Sequence, residues 1–131
     1  MHRLGPETID DFLRRFHRGR EGKLLGVEVS CARGSVKRVT FTLRLRDANA
    51  DDADADVRLE LGEVGELRLQ VRPTEDPQKL DDGIAIGTFG GQTFVDLLPW
   101  TDHPSGAHDF RASNCYAAGV TVRWEAVEGG G

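Results

Sequence analysis

A chain of 131 residues with 38% hydrophobic and 30% charged side chains has the size and composition of one globular domain. These values exclude a disordered tail, and no run approaches the roughly 18 apolar residues of a membrane helix. Sixteen Gly and five Pro favour short strands joined by turns over long helices. The net charge of −5 is uneven: residues 1–46 carry 11 Lys+Arg against 5 Asp+Glu, and residues 47–131 carry 6 against 17. That balance speaks against a nucleic-acid binder, which needs a basic excess on one face, and suits an acidic face that meets a basic partner.

Arg3, Glu7, Asp10 and Asp11 stand where a secretory leader would be apolar, so a cytoplasmic location is expected. Cys31 and Cys115 lie far apart with no CxxC pattern, and both read as small buried thiols rather than a disulfide framework.

The first predicted element is a helix over about residues 6–18. Pro6 suits a first helical turn, and Ile9, Phe12, Leu13 and Phe16 form one apolar stripe. Acids lead, and Arg14, Arg15 and Arg18 follow toward the negative end of the dipole. His17 is expected to cap the last carbonyls, and Gly19 to supply the left-handed residue that ends the helix.

From Lys23 onward the period falls to two. Leu25, Val27, Val29 and Cys31 alternate with polar or small residues, and Val39, Phe41, Leu43 and Leu45 form the cleanest alternation in the chain. Runs at 57–61 and 67–71 predict two strands with a hairpin turn at 62–66. A polar, turn-rich stretch over 73–82 follows, then a hairpin of strands 83–89 and 92–98, an irregular loop over 99–109, and strands at 110–116 and 120–127. The expected fold is mostly β (α+β): an antiparallel sheet or β-sandwich of about eight strands with one N-terminal helix packed on it. It forms a single domain over 1–131, with a frayed tail at 128–131.

Two segments concentrate groups that could act on a partner or an ion. In Asp51-Asp52-Ala53-Asp54-Ala55-Asp56 the alternating carboxylates are spaced to converge on a cation, with Glu63 at position twelve from Asp52. Val57 stands where a calcium loop needs Gly, however, and helices do not flank it. A solvated loop or a partner-contact loop is the better reading. In 100–109, Asp102, His103, His108 and Asp109 are candidate ligands for zinc or a similar metal, with Cys115 as a further donor, yet no second ligand pair has diagnostic spacing. Ser105 is not in a nucleophile elbow, and the glycines at 87–91 lack the Lys-Ser/Thr of a phosphate loop. These patterns favour a non-enzymatic protein-binding domain without cofactor, a monomer or weak homodimer that engages neither membrane nor nucleic acid. A metal-assisted hydrolytic domain built on the 100–109 loop and an accessory domain that self-associates through a sheet edge are the alternatives.

The segment Asp11-Phe12-Leu13-Arg14-Arg15-Phe16-His17, followed by Leu24-Leu25-Gly26-Val27-Glu28-Val29, resembles the opening of small bacterial immunity proteins of polymorphic toxin systems. Val64-Gly65-Glu66-Leu67-Arg68-Leu69, and Phe110-Arg111-Ala112-Ser113 running into Val120-Thr121-Val122-Arg123-Trp124-Glu125, are similar to later strands of that family. Arg18 stands where the family often has an acid, and 83–98 has no counterpart in it. The resemblance implies binding rather than catalysis: occlusion of a toxin, with Asp51, Asp52, Asp54 and Asp56 steering a basic partner and Trp100 as an aromatic anchor.

Overall fold

The computed structural model describes residues 1–70 and 78–127. The polar stretch around Pro73 and Pro77, the end of the run at 67–71, and the tail at 128–131 lie outside the described residues. In chain order the elements are β1 (His2–Arg3), α1 (Ile9–Arg15), β2 (Lys23–Ala32), β3 (Ser35–Asp47), β4 (Ala53–Leu69), β5 (Gln78–Lys79), β6 (Ala85–Phe89), β7 (Gln92–Asp96), α2 (Ala107–Arg111) and β8 (Cys115–Val127). The strands form one antiparallel sheet in the order β5-β2-β3-β4-β8-β7-β6, with β1 added on β8. The fold is therefore mostly β with a helix on a single sheet, and the sandwich alternative does not apply.

Alternation fixes the faces. Val27, Phe41, Leu59 and Trp124 align across β2, β3, β4 and β8, and Val29, Val39, Leu61 and Val122 align beside them. Phe41, Leu43, Leu45, Val57, Leu59 and Leu61 are fully buried on this inner face, because a half-buried pleat hides every second side chain. The outer face of the same strands carries directly opposed ion pairs: Arg44 with Asp56 at 2.9 Å, Arg58 with Glu125 at 3.3 Å and Arg123 with Glu60 at 2.7 Å. Such exposed cross-strand pairs contribute roughly 0.2–1 kcal/mol each and chiefly hold register.

Chain length forces the sheet to curl. β5 lies on one edge and β6 on the other, yet only residues 80–84 join them. Six strand spacings of about 4.8 Å would separate the edges of a flat sheet by about 29 Å, whereas the link reaches at most about 21 Å. The link is a strap buried at both ends, with Asp81 and Asp82 exposed between them. Leu80 N donates to Gly22 O at 2.9 Å and Ile84 N to Arg18 O at 2.7 Å, and the Leu80 and Ile84 side chains are buried in the core. Gly83 has φ 75°, and a Cβ there would stand 2.3 Å from Arg18 O.

Helix α1 closes the curled sheet near the β3–β4 turn. Phe12 and Phe16 meet Trp124 edge-on at 5.2 and 5.5 Å, and the Arg15 guanidinium lies over the Phe16 and Trp124 rings. Arg15 then donates twice to buried Asp47, at 2.9 and 3.0 Å, and Asp47 also accepts from Asn49 N at 3.0 Å. The Arg15 guanidinium holds the Asp47 carboxyl below the usual range, against the opposing effect of burial.

Several expectations need correction. The helix spans Ile9–Arg15 rather than 6–18, because the Thr8 hydroxyl bonds back to Gly5 N at 2.9 Å and makes the Pro6 segment a turn. It also ends early: His17, Arg18 and Gly19 all take left-handed backbone, with φ of 54°, 56° and 73°. Gly19 is left-handed as expected, but the His17 ring pairs with Asp52 at 2.7 Å rather than with helix carbonyls. The hairpin at 62–66 is absent, since β4 runs through it with a bulge between Val64 and Glu66. Gly62 and Gly119 allow the close approach there, as a Cβ on Gly119 would stand 2.5 Å from Gly62 O. The expected strand at 110–116 begins instead as α2. Asp109 sets that turn by accepting from Ser105 N at 2.7 Å and Ser105 Oγ at 3.2 Å. Cys115 is buried, but Cys31 is exposed near the tip of the β2–β3 hairpin.

Two substitutions test this frame. Asp47→Ala is expected to lower the unfolding free energy by about 1.5–3 kcal/mol, the usual contribution of hydrogen bonds to a charged group, read by urea denaturation at neutral pH. The loss should shrink in acid, because a carboxylate with a lowered folded pKa stabilises above its unfolded value and stops doing so as pH falls through the folded one. Gly83→Ala should cost at least about 1 kcal/mol, from the left-handed φ alone, with a lower urea midpoint and faster hydrogen exchange at Ile84 N.

Candidate functional site

The Asp51–56 run does not assemble one site. Asp51 and Asp52 occupy a left-handed turn, with φ of 54° and 61°, while Asp54 and Asp56 lie in β4. Three of the four acids have a basic neighbour nearby: His17 beside Asp52, Arg44 on Asp56, and Arg46 opposite Asp54 in register. The charge that was to steer a partner is thus partly offset within the chain.

The metal candidates are likewise dispersed. Asp102 accepts from Arg20 at 2.8 Å, Asp109 serves the Ser105 turn, and Cys115 lies in the apolar core. Burial pushes the Cys115 thiol up to about 11, so it stays protonated at neutral pH. His108 pairs with Asp109 at 3.5 Å, and His103 is exposed. Among the described residues no three His, Cys, Asp or Glu side chains are grouped to hold a metal ion.

Trp100 behaves differently. It is 67% exposed, the highest value among the large hydrophobic residues described, while the residues on either side of it are tied to the fold. Pro99 is buried, His103 N donates to Thr101 Oγ at 3.2 Å, and Asp102 is held by Arg20. Trp100 lines a groove of about 320 Å³ with Asp81, Asp82, Asp102 and Arg20. Asp81 and Asp82 belong to the strap, so the curl of the sheet is what brings them to the tryptophan.

A second groove, of about 340 Å³, shares Arg20 with the first and is lined also by Arg14, Arg18, Arg46 and Glu21; its Arg18 donates across to Asp102 O at 3.5 Å. The left-handed turn at 17–19 delivers its Arg18. Arg46 pairs with Glu21 at 2.5 Å, and Arg14 makes a loose 3.5 Å contact with Asp11. Four guanidinium groups against one carboxylate leave this lining at +3, whereas three aspartates against Arg20 leave the Trp100 groove at −2. A third groove, of about 550 Å³, lies between β1 and α1, but Arg15 already stacks on its Trp124 ring.

A second core sits beneath α2 on the opposite face, where Phe94 stacks on Phe110 at 5.0 Å beside Tyr116 and Ala118. Arg111 clamps Glu66 through two 2.8 Å bonds, and Tyr116 OH donates to the same carboxylate at 3.1 Å. The Arg111 guanidinium holds Glu66 below its usual value. Asp96 is only 1% exposed, accepts from Leu98 N at 2.9 Å, and is pushed up to about 6 by burial.

Sequence reasoning passed over Arg20, Asp81 and Asp82, which nothing in their local pattern connects. For Asp96 a signal was present, an acid inside the apolar run Phe94-Val95-Asp96-Leu97-Leu98. Comparison with known proteins adds no relative: no protein-family model, no curated protein and no solved structure matches the chain.

The Asp96 environment yields a pH test. Folded Asp96 binds its proton more tightly than the ordinary carboxyl at 3.8, so stability falls as pH rises from about 4 through about 6. Holding it ionised at pH 7 costs on the order of 3 kcal/mol. Asp96→Asn is therefore expected to raise the urea midpoint at pH 7 and to leave it nearly unchanged at pH 4.

Proposed function

We propose that this chain is a non-enzymatic protein-binding domain that docks its partner on the Trp100 face. The observation that carries the reading is the 67% exposure of an indole held on an anchored loop beside carboxylates. Tryptophan, with tyrosine and arginine, is enriched among the residues that dominate the energy of protein interfaces. Covering roughly 150 Å² of its surface would contribute about 4 kcal/mol, and an anchored loop loses little freedom on binding. Asp81 and Asp82 supply the attraction for a basic segment that Asp51, Asp52, Asp54 and Asp56 supply less well, with His17, Arg44 and Arg46 beside them.

The specific form of the proposal is an immunity protein that neutralises a toxin by occlusion. It is supported by the resemblance of 11–17, 24–29 and the later strands, and the binding chemistry of the Trp100 face agrees with it. An immobilised chain is expected to capture one protein from the source lysate. Trp100→Ala should weaken that capture at least about tenfold while shifting unfolding by no more than about 0.5 kcal/mol, as for other surface changes. Equal capture by the wild-type chain and Trp100→Ala, measured by titration of the recovered protein, would overturn the docking site.

A further inference from the structure

The Trp100 groove and the arginine groove share one wall, Arg20, and carry opposite charge. A surface with one positive and one negative lobe on either side of a point is self-complementary. A twofold axis through that point lays each copy's positive lobe on the other's negative lobe. We propose that, when no other partner is bound, this face pairs with a second copy of the chain, the axis passing near Arg20.

In that arrangement Asp81 and Asp82 of one copy face Arg14 and Arg18 of the other, and Trp100 lies over a partner guanidinium, the favoured cation for an indole face. The Arg20–Asp102 pairs stand side by side at the axis, where each arginine finds the opposite copy's aspartate as well as its own. With Arg20 paired to Asp102 and Arg46 to Glu21, Arg14 and Arg18 at +2 balance Asp81 and Asp82 at −2 across such an interface. A polyanion such as nucleic acid would satisfy only the arginine lobe and be repelled by the other, as a purely basic peptide would be in reverse. A protein surface carrying both signs satisfies both lobes, and the chain itself is one. The proposal rests on the reading of the Trp100 face as a docking surface, and it gives that surface a competitor: self-pairing hides Trp100 until a tighter partner displaces it.

The test is sedimentation velocity of the purified chain across a range of concentrations at low and high salt, with Trp100 emission followed in parallel. The expected result is a monomer–dimer equilibrium that weakens at least about tenfold with added salt and a blue shift of tryptophan emission in the dimer that Trp124→Phe keeps. Two charge-reversed chains make it specific. Arg14→Glu with Arg18→Glu makes both lobes net acidic, and Asp81→Lys with Asp82→Lys makes both net basic. Each is expected to be monomeric alone while still unfolding cooperatively in urea, and the two mixed should form a heterodimer. A wild-type chain that stays monomeric, a dimer indifferent to both reversals, or a mixture that fails to pair would each overturn the proposal. The docking reading fails separately: if Trp100→Ala captures a lysate protein as well as the wild type does, that reading falls whatever the self-association shows. If the wild type is monomeric and still captures a partner through Trp100, self-pairing alone falls.

Discussion

The closure of the sheet by residues 80–84 organises most of what surrounds it. A link this short between opposite edges compels strong curl, and curl turns one sheet into an enclosure whose inner face is a core without a second sheet. The strap must then be bonded at both ends, because Leu80 and Ile84 carry their backbone groups inward there. Gly22 O accepts at one end and Arg18 O at the other. Arg18 O can reach Ile84 N because the chain leaves α1 through left-handed residues, and Gly83 fits beneath it because it lacks a side chain. The positive-φ run at 17–19 is thus the local cost of a global closure, of the order of 1 kcal/mol for each non-glycine residue.

The two sides of the sheet are stabilised differently. On the inner side, burial of Phe41, Leu43, Leu59 and Leu61 dominates, with the Arg15–Asp47 pair fixing how α1 sits. On the outer side β4 and β8 change character at the Gly65 bulge. Before it the face is an open ladder of ion pairs, and after it the same face enters the Phe94–Phe110 core, fastened by Arg111 on Glu66. A single extra residue therefore marks the boundary between solvent and a second core, which is the usual consequence of a bulge re-aiming a strand.

The legible parts of this fold were those where burial is local and periodic. Val39, Phe41, Leu43 and Leu45 announce a half-buried strand, and Ile9, Phe12, Leu13 and Phe16 announce a helix face, because one neighbour on one side explains each pattern. The residues at 62–66 read as a turn because Gly, Glu and Val in that order suit one. Their continuation as a strand depends on Thr121 and Gly119, more than fifty residues along the chain and invisible to local pattern. The helix α2 was missed for a similar reason, since its five residues are held by Asp109 on Ser105 and by packing on Phe94. Of the binding face, Trp100 stood out as an aromatic residue in a polar loop. Its companions Asp81, Asp82 and Arg20 did not, because only the closed strap makes them neighbours.

The strap also ties recognition to the integrity of the fold. Asp81 and Asp82 ride on it, and Arg18 and Arg20 flank the turn it is bonded to. If the two sheet edges part, the Trp100 groove loses the wall made by Asp81 and Asp82 while β2–β3–β4–β8 keep their ladders. The binding face is therefore a property of the closed state alone. Any ligand that occupies it holds the edges together by mass action, so occupancy acts as a clasp on the sheet as well as a contact.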